Sequence, residues 1–216
     1  ETYVEALSNL KEIFTRNNCS IVLQETLSDF ELAMIQAISV EFENVKIYGC
    51  WFHFNQAIIR YLFNKCNKQA LYYNDYNFKQ WIRKFSALAL VPLNDVQTGW
   101  NIILSTVPVI LDSDILKFIK YFVNTWLQGK YGFSWNHFNN NGPRTNNHLE
   151  GYHSKLSSIP SSKSNNVLTF INMIKKSASQ VHSKFHANER NPIVEPKQLS
   201  KNKKKDQVFV TLQEQF

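Results

Sequence analysis

The first fifty residues alternate between helix and strand patterns, and this constrains the fold more than any other feature of the chain. Tyr3, Val4, Leu7, Leu10, Ile13 and Phe14 recur at helical spacing, which predicts an amphipathic helix over 2–16, ended by Asn17 and Asn18. Residues 20–25 (Ser-Ile-Val-Leu-Gln-Glu) read as a short buried strand. Ser28-Asp29-Phe30-Glu31 has capping-box form with Ser28 as N-cap, and Phe30, Ala33, Met34, Ala37 and Ile38 continue it as a helix. Val45-Lys46-Ile47-Tyr48 is a second short strand closed by Gly49. Helix, strand, helix, strand in so short a span implies parallel strands joined by a helical crossover.

From Cys50 onward the strand patterns stop. Residues 51–65 read as a helix that is apolar on most sides, and 78–91 and 96–110 as helices broken near Pro92. Ile115, Phe118, Ile119, Phe122, Val123, Trp126 and Leu127 give the clearest helical stripe, capped by Asp112 or Asp114. Residues 129–143 form a loop rich in Gly and Asn, followed by a helix over 146–156, a polar break and a last helix over 167–181. No internal repeat is evident. At 44% hydrophobic and 14% aromatic residues the chain can bury a core, which excludes a wholly disordered polymer. Only 6 Gly and 6 Pro argue against a turn-rich all-β fold. Cys19, Cys50 and Cys66 cannot form a disulfide framework, which suits a reducing compartment. No apolar run approaches the ~18 residues of a membrane span. The opening Glu-Thr-Tyr lacks a charged-then-apolar leader, so the sequence reads as a piece of something longer.

The net charge of +7 is unevenly spread. Residues 184–205 hold seven basic side chains, among them Lys201, Lys203, Lys204 and Lys205, against Glu189 and Glu195. Such a stretch is either a solvated tail or an arm that attracts phosphates, and it has the composition of a nuclear-import signal.

Three groups of residues could carry chemistry. Asp29 is expected in the first turn of a helix just after a strand, where ligand sites of parallel α/β sheets lie and a carboxylate can hold a divalent metal. Acids also gather at helix N-termini for dipole reasons alone. Cys50 and His53, three apart, share a helix face and make half of a zinc site; without a second pair they read as a buried thiol and a hydrogen-bonded imidazole. Arg144-Thr-Asn146-Asn147-His-Leu-Glu150-Gly-Tyr-His153 is the densest polar run in an apolar region. On a helix, Glu150, His153 and either Asn146 or Asn147 share one face, with Leu149, Tyr152 and Leu156 on a packable face beside it. Gly151 costs about 1 kcal/mol there relative to Ala, which suggests close approach of a backbone or ligand.

The order of these signals is itself informative: Ser-Asp-Phe-Glu, then Gly49-Cys-Trp-Phe-His53-Phe-x-Gln56 with Arg60 downstream, then Trp135-Asn-His137-Phe, then Arg-Thr-Asn-Asn-x-Leu-Glu-Gly-Tyr-His-x-Lys-Leu. Over roughly residues 1–180 it resembles the transposase domain of Mutator-like elements, of the animal type associated with FLYWCH zinc fingers. The resemblance implies an α/β chain with a partial RNase H-like fold and a large all-α insertion. The expected parts are a core at 1–50, the insertion at 51–143, C-terminal helices with the Glu helix at 144–183, and a basic, flexible tail at 184–216.

The resemblance also implies a DDE mechanism, in which three carboxylates hold divalent metals for in-line attack on a DNA phosphate. Asp29 matches the second acid and Glu150 the third, with Mg²⁺ or Mn²⁺ as the cofactor because hard cations want oxygen ligands. Cys50 and His53 match the family's Cys-x-x-His motif, whose role is ordering the site or contacting phosphate; zinc at Cys50/His53 is the other cofactor weighed. His153, Asn146, Asn147 and Arg144 belong to the same motifs without an assigned role, and the Lys201–Lys205 cluster is expected to touch nucleic acid. DNA is the implied partner, with a homo-oligomer in view, no membrane, no small-molecule substrate, and the nucleus as location. The family's first Asp lies ahead of the helix that opens this sequence, and no residue here matches it. The expectation is therefore a truncated, inactive transposase fragment; the rival is a non-catalytic DNA-binding or chromatin-associated protein descended from a transposase.

Overall fold

The computed structural model describes residues 2–108, 111–158 and 166–190. The chain divides into two compact units, Glu1–Asn146 and Asn147–Phe216.

The first unit opens with helix α1 (Thr2–Arg16), as its apolar spacing predicts, although none of its residues is buried. It lies against α2 (Leu32–Glu41) through polar contacts: Tyr3 Oη donates to Glu31 Oε1 at 3.0 Å and Lys11 Nζ to the Glu41 carbonyl at 2.6 Å. Strands β1 (Glu25–Ser28) and β2 (Lys46–Gly49) pair in parallel, Leu27 opposite Tyr48 and Ser28 opposite Gly49, with α2 as the crossover. The parallel pair was legible; its first strand was misplaced. The apolar run at 20–25 is not the strand, and Val22 within it is 78% exposed. β-branched composition signals fitness for a pleated surface, whereas the ladder forms where a partner backbone is available. Here the Gln24 and Ser28 carbonyls accept from Lys46 N and Cys50 N.

The capping box is also corrected. Ser28 ends β1, and its Oγ donates to the Asp29 carbonyl at 3.0 Å. Helix α2 starts three residues later than that motif implies, behind an extended Glu31 that makes no side-chain cap. Asp29 therefore sits in the β1–α2 turn rather than in a helix's first turn.

The elements described between residues 51 and 127 are helices: α3 (Trp51–Cys66), α4 (Gln69–Asn74), α5 (Tyr76–Ala87), α6 (Val96–Ser105) and α7 (Ser113–Phe122), which passes into a π-helical turn at Val123–Leu127. The sequence reading passed over α4. Asp112, rather than Asp114, caps α7 by accepting from Ile115 N at 2.8 Å. Helix α5 tightens into a 3-10 turn at Leu88–Leu90 and ends before Val91, which is extended ahead of Pro92; α6 ends at Ser105, and the expected end at 110 lies outside the described residues. Helix α3 is buried along one stripe, Phe54, Ile58, Leu62 and Cys66, rather than on most sides. That stripe meets Trp81, Phe85, Phe118, Phe122, Trp126 and Trp135 in one largely aromatic core.

The Gly/Asn-rich segment after α7 is tied down on β2. Gly49 N donates to the Ser134 carbonyl, Tyr48 Oη to the Asn139 carbonyl, and Trp51 N to the Arg144 carbonyl. Sheet and helical block lie in the one unit Glu1–Asn146. Gly49 is fixed by a close approach: a Cβ there would stand 2.2 Å from the Phe30 ring. Gly49→Ala is expected to destabilise the chain by about 1–3 kcal/mol in urea unfolding, as overpacked cores do. Phe30→Leu in the same chain is expected to recover part of that loss.

The second unit contains α8 (Asn147–Ser157) and α9 (Val167–Arg190). Tyr152 Oη and Ser177 Oγ are 3.4 Å apart, and Met173 and Ser177 are buried. Helix α9 runs nine residues beyond the expected 181, so the basic stretch begins within a helix instead of a tail. Lys201, Lys203, Lys204 and Lys205 lie outside the described residues. No described helix is long and apolar enough to cross a membrane.

Candidate metal centre beside an aromatic cleft

The ends of β1 and β2 place two segments side by side: the Ser28-Asp29-Phe30 turn and the start of α3 at Cys50–His53. Parallel strands deliver the residues beyond their carboxyl ends to one edge of the sheet, which explains how Asp29 and His53 meet although 24 residues separate them. His53 Nδ1 lies 2.8 Å from Asp29 Oδ1. Asn146, from the end of the first unit, donates from Nδ2 to the same oxygen at 2.7 Å. Its other amide atom, Oδ1, accepts from the Cys50 thiol at 3.2 Å. The ligand atoms of Asp29, Cys50 and His53 all lie within 4.8 Å of one another.

The direction of these bonds decides what the cluster suits. The Cys50 thiol donates to Asn146 Oδ1 and Asn146 Nδ2 donates to Asp29 Oδ1, while His53 Nδ1 approaches that oxygen at ion-pair distance without hydrogen-bond geometry. Everything converges on one carboxylate oxygen, and Asp29 Oδ2 makes no hydrogen bond among the described residues. A hard divalent cation can add at Oδ2 without breaking a contact. Zinc held through sulfur and nitrogen would need a deprotonated Cys50 and the loss of the thiol–amide bond. Asp29, Cys50 and His53 thus form a cluster that could hold one metal ion, with Asn146 hydrogen-bonded to both the thiol and the carboxylate.

Asp29 and His53 border a cleft of 390 Å³ whose wall on α3 carries Gln56 and Arg60. His53, Gln56 and Arg60 succeed one another at i, i+3 and i+7, one face of the helix. The far wall comes from Tyr121 and Trp126 on either side of the π-helical turn's start, and from Tyr131. Burial raises the Tyr121 phenol above its ordinary range, so it stays protonated there.

The other candidate residues lie on the 144–153 segment. Arg144 meets α3 through its backbone carbonyl. Asn147 opens α8, and Glu150 and His153 are exposed on that helix, in the second unit. Leu149 and Tyr152, expected to pack, are 52% and 40% exposed. Gly151 has no protein atom within 4 Å of where a Cβ would stand, so the backbone approach expected as one reason for this glycine is not seen among the described residues.

Sequence reasoning gave His137 no role beyond its motif. It is fully buried, its Nε2–H donates to the Gly49 carbonyl at 2.8 Å, and its Nδ1 accepts from Asn140 at 2.9 Å. Burial lowers its pKa to about 4, so the ring is neutral and its tautomer is set by those two bonds. It holds the loop to the last residue of β2. No family model, curated protein or solved structure matched this chain.

Proposed function

We propose that the chain carries part of a DDE-type DNA-cleaving and -joining domain of RNase H-like descent, with Asp29 as its second acid and Glu150 as its third. The observation that carries this reading is the Asp29 carboxylate itself. It stands at the carboxyl end of a parallel strand, its Oδ1 accepts from Asn146 with His53 Nδ1 2.8 Å away, and its Oδ2 makes no hydrogen bond among the described residues. The order of motifs along the sequence supports the same reading. A divalent cation bound there would act as a Lewis acid on a DNA phosphate and lower the pKa of an attacking water or 3′-hydroxyl. Asp29 binds; His53 and Asn146 orient it; Cys50 holds Asn146 in register. The family's first acid is matched by no residue of this sequence, so strand transfer is not assigned to these 216 residues alone.

The test is Mn²⁺ binding to the purified chain, read by water-proton relaxation. Asp29→Asn is expected to weaken binding at least tenfold. Cys50→Ser, which keeps a hydroxyl donor to Asn146, is expected to stay within about twofold. Unchanged Mn²⁺ affinity in Asp29→Asn would remove the metal site. Tight zinc binding that Cys50→Ser abolishes would favour the zinc alternative.

A further inference from the structure

We infer that the cleft beside Asp29 is a pocket for a single unstacked nucleobase, with Arg60 taking an adjoining phosphate. This rests on the DNA-processing reading above and adds to it the form in which the substrate enters.

The first argument is size and shape. At 390 Å³ the cleft falls within the ~300–1,000 Å³ of small-ligand sites, so it suits a nucleotide and is too small for a duplex. A base can reach such a concave site only by leaving its stack.

The second is what lines it. Tyr121 and Tyr131 are half-buried rings, and the buried Trp126 braces both. Trp126 stacks on Tyr131 at 5.3 Å between centroids and donates from Nε1 to Tyr121 Oη at 3.2 Å. Tyr121 is held on its other side by Tyr61, stacked at 3.7 Å, and Phe30 closes edge-on against Tyr131 at 5.2 Å. Rings held this firmly lose little freedom when a base stacks on them, and base–aromatic stacking is the sequence-tolerant part of single-strand binding. The π-helical turn that brings Thr125 and Trp126 to the cleft is a backbone irregularity of the kind found at functional sites.

The third is the polar rim. Gln56 can offer its planar amide to a base edge, as Gln does to adenine. Arg60 is exposed and has neither a carboxylate partner nor a hydrogen bond among the described residues, so its fork is available for a phosphate. An aromatic box can also attract a quaternary ammonium ion. Asp29 and Glu31 in the lining would favour such a cation, whereas Arg60 opposes it and Trp126, 2% exposed, has no face to give it; competition by tetramethylammonium decides between the two.

The experiment compares two hairpin DNA probes of equal length and phosphate count, one with a single unpaired adenine and one with an abasic residue at that position. Binding to the full chain is read by fluorescence anisotropy in EDTA, so the outcome does not depend on the metal site. The base-bearing probe is expected to bind about tenfold more tightly. Tyr131→Ala should erase the difference, Tyr131→Phe should keep it, and Arg60→Ala should weaken both probes. Gln56→Ala, on a helix surface, should reduce the preference severalfold while leaving Mn²⁺ affinity unchanged. Equal binding of the two probes would overturn the inference while leaving the Mn²⁺ result standing. So would a preference that survives Tyr131→Ala, or displacement of the adenine probe by tetramethylammonium at millimolar concentration.

Discussion

Trp135→Ala is expected to destabilise the first unit by about 4 kcal/mol, near the top of the range for deleting a large buried side chain. Trp135 is fully buried, stacks on Phe54 at 5.4 Å with the rings 10° apart, and donates from Nε1 to the Trp126 carbonyl at 2.8 Å. The substitution opens a cavity beside Phe54 and Phe122 and leaves that carbonyl without its donor. The same bond braces Trp126, which props the two cleft tyrosines, so the variant is expected to lose base preference before it unfolds. Urea unfolding followed by circular dichroism measures the first effect. A loss below about 1 kcal/mol would mean that this part of the core is packed differently.

Acid is expected to unfold the protein through His137. Its folded pKa is about 4, against ~6.5 for an exposed histidine. Between those values the unfolded chain takes up a proton that the folded chain refuses, so stability falls as pH falls. Nothing is lost above pH ~7, and the full loss, about 3 kcal/mol, is reached near pH 4. A His137→Gln variant, which keeps a donor for the Gly49 carbonyl, should be less stable at pH 7 and have a flatter profile from pH 7 to 4. Matching slopes in the two proteins would show that other groups drive the acid transition.

The Trp135-Asn136-His137 motif shows how far the sequence could be read. Its presence and order were visible; its purpose was not, because each residue acts on a distant segment. Trp135 enters the core, Asn136 Nδ2 donates to the Val91 carbonyl at 2.9 Å, and His137 reaches Gly49. Periodicity reports local structure, and these are pairings across 45 and 88 residues. Helix α1 was legible to the residue because its apolar stripe is regular. Strand β1 was not, because the strongest β-forming run, Ile21-Val22-Leu23, lies outside the ladder. At the site, the residue types at Asp29, Cys50 and His53 were legible, as was their dependence on the sheet's carboxyl edge. Asn146 as the bridge between Cys50 and Asp29 was not, since an Asn that joins a thiol to a carboxylate leaves no spacing signature. Gln56 and Arg60 were visible as motif residues, and only the fold brings them to one cleft with Tyr121 and Tyr131.

The most direct test of the account is anomalous diffraction from crystals of the chain soaked in Mn²⁺. A peak about 2.1 Å from Asp29 Oδ2 is expected, within the range for small hard cations on oxygen, with the Asn146 amide still on Oδ1. A peak bonded to Cys50 Sγ and His53 Nδ1, or no peak at Asp29 at saturating Mn²⁺, would contradict it.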